Sequence, residues 1–278
     1  MGLARSTYYH KPTRAELQKQ RDLELRDLIE EIHEELPGYG YRRIRQHLLR
    51  EGKRVNGKRI QRIMRAYSLQ SCIKKLMKPR GTHTGVKLNY PNLVRGLKIN
   101  SPNQVWATDL TYIRLKKEYV YLNAIIDIYT RKIVGWALSR DLSHKFCLKA
   151  LEVAIKNYKP PEGCIHHSDR GVQYTSEAYV SYLVENKFLI SQSRLATPED
   201  NAFIESFFKT LKKEEIYFKG YKTMTDVKNN LPRFIDEIYN EKRLHSSLGY
   251  KTPSEFEAEV LKINPASRPT QKIWGWTV

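Results

Sequence analysis

The hydrophobic pattern changes period near residue 103, and this change most narrows what the chain can become. Upstream, apolar residues recur at helical spacing; downstream they alternate as in strands. Between them residues 70–102 hold Pro79, Gly81, Gly85, Pro91, Gly96 and Pro102 with little periodicity. A chain of 278 residues has room for about two domains. The expected division is a helical domain over 1–69, a basic linker over 70–102, an α/β core over 103–217 and a helical extension and tail over 218–278.

In the first part, Leu25, Leu28, Ile29, Ile32 and Leu36 share a helix face that Pro37-Gly38 ends. Ile44, Leu48 and Leu49 mark a second helix with Gly52 as its C-terminal cap. Asn56 is placed to cap a third, on which Ile60, Ile63, Met64 and Tyr67 share one face. Lys58, Arg59, Arg62 and Arg65 lie on the others. Two short helices joined by a Gly-containing turn read as a helix-turn-helix, or equally as a plain three-helix bundle with a wet basic face.

Charge bears on that choice. The chain carries 49 Lys+Arg against 30 Asp+Glu, a net +19. Residues 41–100 hold seventeen of the basic residues and one acid, Glu51, and the 57 residues from Gly52 to Thr108 hold no acid. A short basic run is usually a solvated face; an excess this concentrated fits a surface that meets phosphates. Nucleic acid is the expected partner, with Lys58, Arg59, Arg62 and Arg65 as candidate contacts. Cys72, Cys147 and Cys164 form no C-x-x-C pair, which argues against a disulfide framework or a zinc module. No apolar run approaches the ~18 residues of a membrane helix and no secretory signal opens the chain, so a cytoplasmic protein is expected, associated with the nucleoid if its partner is DNA.

From residue 103 the order reads as three strands in a meander, then helix, strand, helix, strand and a helix over 198–217. A ribonuclease-H-like α/β core has this order, though other α/β folds share parts of it. Enzymes that transfer phosphoryl groups on nucleic acids hold paired divalent metals with carboxylates from separate elements. Asp109 lies mid-strand in WATDLTYI, where a carboxylate among apolar neighbours is costly without a metal or partner. Asp169 ends a strand at a Gly loop, HHSDRGVQY, and Glu205 sits on the last core helix, sharing a face with Asn201 and Lys209. The 35-residue gap from Asp169 to Glu205 decides nothing alone, because Asp141 and Glu177 have it too and about one such pair is expected by chance. Capping of a strand end and a helix start explains that second pair. The triad thus stands on context, with scattered structural carboxylates as the alternative.

Several separated motifs carry a resemblance: GYRRIRQHLL, VNGKRIQRIMR, PNQVWATDLTYI, YLNAIIDIYTRKIVGWALS, HHSDRGVQYTS, DNAFIESFFKTLKKE and YNEKRLHSSLGYKTPSEF. Together they resemble the second-frame (OrfB) transposases of the bacterial insertion-sequence-three family, over roughly residues 38–257. The resemblance implies a retroviral-integrase-like catalytic core with Asp109, Asp169 and Glu205 as its Asp-Asp-Glu triad. It further implies two Mg²⁺ ions, replaceable by Mn²⁺, and a basic residue seven positions after the glutamate, here Lys212. Lys212 and Lys209 are the expected DNA contacts near the cut. The implied reaction is cleavage at transposon ends followed by strand transfer. The implied partners are terminal inverted repeats, target DNA, further copies of the chain, and a first-frame partner or fusion. One departure is SRLATPEDNA, where relatives often carry a glycine before the glutamate motif. A non-catalytic DNA-binding regulator and a simple nuclease on the same fold are the rival readings.

The remaining motifs are less specific. His166 and His167 alternate inward and outward on a strand and are expected to pack rather than ligate, since oxygen ligands suit such metals. Asp127 is expected to shape a hairpin turn. Tyr239, Asn240, Arg243 and His245 could dock on the core or contact DNA. Trp274 and Trp276 could anchor a tail on a partner subunit or belong to an unstructured end.

Overall fold

The computed structural model describes residues 13–71, 90–194, 197–262 and 275–276, and the chain forms two compact units, Met1–Ile73 and Lys74–Val278. In the first unit, Thr13 and Glu16 close a reciprocal capping box at the start of α1 (Arg14–Glu35). α2 (Tyr41–Arg50) ends in the left-handed turn at Gly52, φ +78°, where the Lys53 amide reaches back to the Leu48 carbonyl at 2.8 Å. Asn56 caps α3 (Gly57–Ala66), its side chain accepting from the Lys58 amide at 2.9 Å. Leu25, Ile29, Ile32, Tyr39, Ile44, Leu48, Ile60, Ile63 and Met64 are buried together as the core. Tyr67 departs from the expected buried face. The helix ends at Ala66, and Tyr67 stands exposed with the Arg26 guanidinium 5.4 Å from its ring centre.

The second unit is built on one six-stranded sheet ordered β5-β4-β1-β2-β3-β6. β1 (Val105–Arg114), β2 (Tyr119–Asp127) and β3 (Ile133–Ser139) form the expected antiparallel meander. Asp127 does shape the β2–β3 turn, accepting from the Tyr129 amide, the Thr130 hydroxyl and the Asn103 amide. α4 (His144–Tyr158) crosses behind β3. It comes so close that a Cβ on Gly135 would lie 2.4 Å from the Ala150 carbonyl oxygen, which leaves room for no other residue. β4 (Ile165–Ser168) and β5 (Leu189–Gln192) run parallel beside β1, joined through α5 (Glu177–Glu185). Trp106, Ile125, Ala137, Phe146, Leu151, Tyr179 and Leu183 belong to the core between sheet and helices.

α6 (Ala202–Leu211) follows a 3₁₀ turn over Pro198–Asn201 and widens into a π-helical stretch, Lys212–Ile216, before Tyr217–Lys219. α7 (Met224–Arg233) widens likewise over Phe234–Lys242, and α8 (Pro253–Leu261) follows. The C-terminal segment docks on the core. Asn240 exchanges two 3.0 Å hydrogen bonds with the backbone of Ile133, and Arg243 pairs with Glu214 through two contacts of 2.8 Å. The Tyr239 ring meets Phe207 and His245 edge-on. Lys132 and Glu257, both buried, pair at 2.7 Å and tie α8 to the β2–β3 turn.

Several expectations fall outside the described residues, and a few are revised. Residues 72–89 of the linker, with Cys72, lie outside the described residues, and so do Trp274 and Leu195–Ala196 of the departing SRLATPEDNA segment. Residues 90–93 hydrogen-bond along β5: the Tyr90 amide to the Gln192 side chain, the Leu93 amide to the Ser191 hydroxyl. Gly275–Trp276 is a short strand, β6, paired with β3, rather than an unstructured end. Asp141 and Glu177 make no capping hydrogen bond, although Glu177 sits in the first turn of α5 where the helix dipole favours it.

Candidate active site

Asp109 stands mid-way along β1, opposite Ala124 of β2. β4 pairs in parallel with β1, and the last paired residues are Ala107 and His167. Two residues beyond that pair on each segment stand Asp109 and Asp169, so the parallel register brings the aspartates side by side. Asp169 leaves the strand into a tight loop, its Oδ1 accepting from the Gly171 amide at 2.9 Å. A Cβ on Gly171 would lie 2.9 Å from that same oxygen and 3.1 Å from Gln173 Oε1, so any larger residue would displace the Asp169 carboxylate.

Glu205 arrives from α6. The entry to this helix is fastened to β1 by Asn201, which is buried and donates from Nδ2 to the Thr108 carbonyl at 3.2 Å. Asn201 and Glu205 lie one turn apart on the same helix face. The fastening therefore acts on the residue before Asp109 and on the turn before Glu205 at once. A polar layer supports it: Tyr174 donates to Asn123 Oδ1 at 2.6 Å, and so does the Thr108 hydroxyl at 3.3 Å. The sequence placed Asn201 on the Glu205 face without a task and Gly171 in the loop after Asp169, but singled out neither Asn123 nor Tyr174. Their proximity to the motif residues was the only available signal.

Asp109 lies within electrostatic reach of both other acids. Burial pushes the Asp109 carboxyl well above the usual range, and the charges of Asp169 and then Glu205 push it further. The Leu110 amide, 2.8 Å from Asp109 Oδ1, and the Lys212 ammonium oppose that rise. Burial lowers Lys212 from its ordinary value while Asp109 holds it up, and its ammonium rests 4.8 Å from the centre of the Tyr112 ring. Lys209 is exposed, 3.4 Å from Glu205 Oε2.

The residues fit a divalent cation by their chemistry. The donors are hard carboxylate oxygens, and both the burial that chiefly raises Asp109 and the Asp169 and Glu205 charges that add to it disfavour a bare carboxylate and would be offset by a cation. Among the described residues no three His, Cys, Asp or Glu side chains stand close enough together to enclose an ion already. The histidines beside Asp169 are packing groups. His166 is buried against Tyr179 and Phe188 and hydrogen-bonds the Tyr179 hydroxyl at 2.9 Å. His167 bonds the hydroxyls of Ser191 and Ser193. The two alternate across the strand as expected, but both are buried because both faces of this central strand are covered.

In the helical unit the candidate DNA contacts separate into two kinds. Arg59 and Arg62 turn toward α1 and share Asp22, at 2.8 and 2.6 Å. Lys58 and Arg65 are exposed and make no such pair.

Residues 99–198 and 187–253 each match the family described as integrase core domain, and residues 20–75 match an HTH-like domain. The chain is 37% identical over 227 residues to the transposase for insertion sequence element IS904 of Lactococcus lactis subsp. lactis, covering 81% of this chain and 90% of that protein. It is 35% identical over 261 residues to the putative transposase InsK for IS150 of Escherichia coli K12, covering 93% and 91%. To the transposase InsF for IS3A of the same organism it is 30% identical, covering 80% and 78%. The catalytic core of BIV integrase superposes with a TM-score of 0.46 at 15% identity, over 58% of this chain and 97% of that one.

An integrase core preceded by an HTH-like domain defines a polynucleotidyl transferase acting on DNA. The helical unit is accordingly a helix-turn-helix module rather than a plain bundle. The chain belongs to the insertion-sequence-three family of DDE transposases.

Proposed function

We propose that Asp109, Asp169 and Glu205 are the catalytic carboxylates of this transposase and together hold two Mg²⁺ ions, with Mn²⁺ able to substitute. The observation that carries this reading is the parallel register that sets Asp109 beside Asp169, with Asn201 fastening the Glu205 helix to the same strand. Bound metal would supply Lewis-acid stabilisation of the attacking and leaving oxygens. The residues themselves serve as ligands and not as nucleophiles, so no covalent bond to the protein forms. A water attacks the phosphodiester at the transposon end; the freed 3′-hydroxyl then attacks a second phosphodiester in target DNA and displaces its 3′ oxygen. Lys212, partly buried beside Asp109, meets a phosphate next to the cut, and Lys209 a more distant one.

Terminal inverted repeats are held by α3, with Lys58 and Arg65 as direct contacts and Arg59 and Arg62 held in place by Asp22. Two ends must be brought together, which calls for a dimer or larger assembly, joined by a first-frame partner or fusion. A cytoplasmic protein associated with the nucleoid follows from such a substrate. Pre-cut transposon-end DNA incubated with Mg²⁺ tests the reading. Joined products from the wild type and none from Glu205→Gln are expected. Cuts without joining would instead indicate a nuclease, and DNA binding with neither would indicate a regulator.

A further inference from the structure

Beside the carboxylates lies a surface that the catalytic reading does not use. Tyr112, Tyr119 and Tyr217 are 39%, 49% and 47% exposed. The rings of Tyr112 and Tyr119 meet edge to face, 5.7 Å between centres. The Lys116 amide donates to the Lys222 carbonyl at 3.0 Å, holding the β1–β2 hairpin against the chain just after Tyr217–Lys219. Burial and then the nearby Tyr112 hydroxyl raise Tyr217 from its ordinary value, which sets the two side chains close together. Lys212 links this surface to the active site, with its ammonium over Tyr112 and its charge felt by Asp109.

Exposed apolar area of this kind either meets a partner or remains an unexplained cost. The charge around it indicates which partner. Arg114, Lys116, Lys117 and Lys222 are exposed on the same hairpin and the segment it contacts, and the one acid between Tyr112 and Tyr119, Glu118, is paired with Arg140 at 2.9 Å. Aromatic faces ringed by cations suit single-stranded nucleic acid, whose unstacked bases offer a π-face while its phosphates follow the lysines. A fully paired duplex keeps those faces inside its stack.

We propose that Tyr112, Tyr119 and Tyr217, with the Lys212 ammonium seated on Tyr112, form a stacking platform for unpaired bases of the DNA strand beside the phosphodiester being cut. This rests on Asp109, Asp169 and Glu205 being the catalytic centre. Strand separation at the reacting end would then be held open by the protein.

The test compares the full chain's affinity for two probes: a duplex with a short unpaired arm carrying 2-aminopurine, and the same duplex fully paired. The wild type is expected to favour the forked probe about tenfold and to quench its fluorescence. Tyr112→Ala with Tyr119→Ala should abolish the preference and the quenching while changing affinity for the paired probe less than about twofold. Tyr112→Phe with Tyr119→Phe should keep both, since stacking needs the ring and not the hydroxyl. Equal loss on both probes, or a fork preference that survives the alanines, would overturn the proposal. A change in oligomeric state by light scattering with the fork preference intact would assign the surface to a second copy of the chain and likewise overturn it. Were the wild type to bind neither probe, the DNA reading itself would fall, and this inference with it.

Discussion

At the scale of single residues, the site depends on groups that do no chemistry. Gly171 is the sharpest case, since a methyl group there would press on Asp169 Oδ1 and Gln173 Oε1 together. The Asp169 carboxylate would have to move while the loop's hydrogen bond stayed available. Gly171→Ala is therefore expected to lower strand-transfer rate on the order of a hundredfold, the usual consequence of misplacing a reacting group by about 1 Å. Its unfolding midpoint should stay close to that of the wild type, because the loop is half-exposed. A variant that keeps wild-type turnover would show that the crowding is relieved elsewhere. Asp109 was legible in the sequence because a lone acid among Trp106, Ala107, Leu110 and Ile113 needs a reason. Asn201 was not: its partner, the Thr108 carbonyl, lies 93 residues back along the chain, and no local pattern encodes that reach. The same holds for Arg59 and Arg62, whose capture by Asp22 depends on how α1 meets α3.

At the scale of elements, hydrophobic period was sufficient for β1 to β5 and the helices between them, because each presents one or two apolar faces. It could not show the π-helical widening after α6 and α7, or β6, whose two residues carry no period. Burial of whole elements also sets how the core responds to acid. His166 on β4 has its pKa lowered from 6.5 to about 3, chiefly by burial. As pH falls below 6.5 the unfolded chain gains a proton that the folded chain refuses, so stability declines from pH 6.5 toward pH 3. By pH 5 this group alone accounts for a loss of about 2 kcal/mol. His166→Gln removes that titration, and urea unfolding at pH 7 and pH 5 should show a smaller decline than in the wild type. An unchanged decline would place the acid sensitivity in another group. The fastening of α8 is measured in the same way. Glu257→Gln leaves the Lys132 ammonium buried without its charge partner and is expected to cost about 3–5 kcal/mol. Replacing both residues with methionine should recover most of that loss; if it does not, the pair is not what joins α8 to the sheet.

For the whole molecule, the charge read from sequence acquires a place. Ten of the seventeen basic residues in 41–100 fall within the first unit, and the catalytic unit is marked instead by acids. Binding that neutralises phosphates releases counterions, so affinity falls with salt at a slope of about 0.9 per phosphate contacted. The slope counts contacts and ignores residues that are merely basic, and the structure separates the two. Lys58 and Arg65 are exposed and should each neutralise a phosphate. Arg59 and Arg62 share Asp22, so the three together carry a single net positive charge. In a salt titration of transposon-end binding, Lys58→Ala with Arg65→Ala should reduce the slope by about two. Arg59→Ala with Arg62→Ala should reduce it by about one or less, while weakening discrimination between cognate and scrambled ends if the arginines read bases. Equal slopes for the two double variants would mean that Asp22 releases its arginines to the phosphates on binding. An unchanged slope in the Lys58 and Arg65 variant would move the end-gripping surface off α3 altogether.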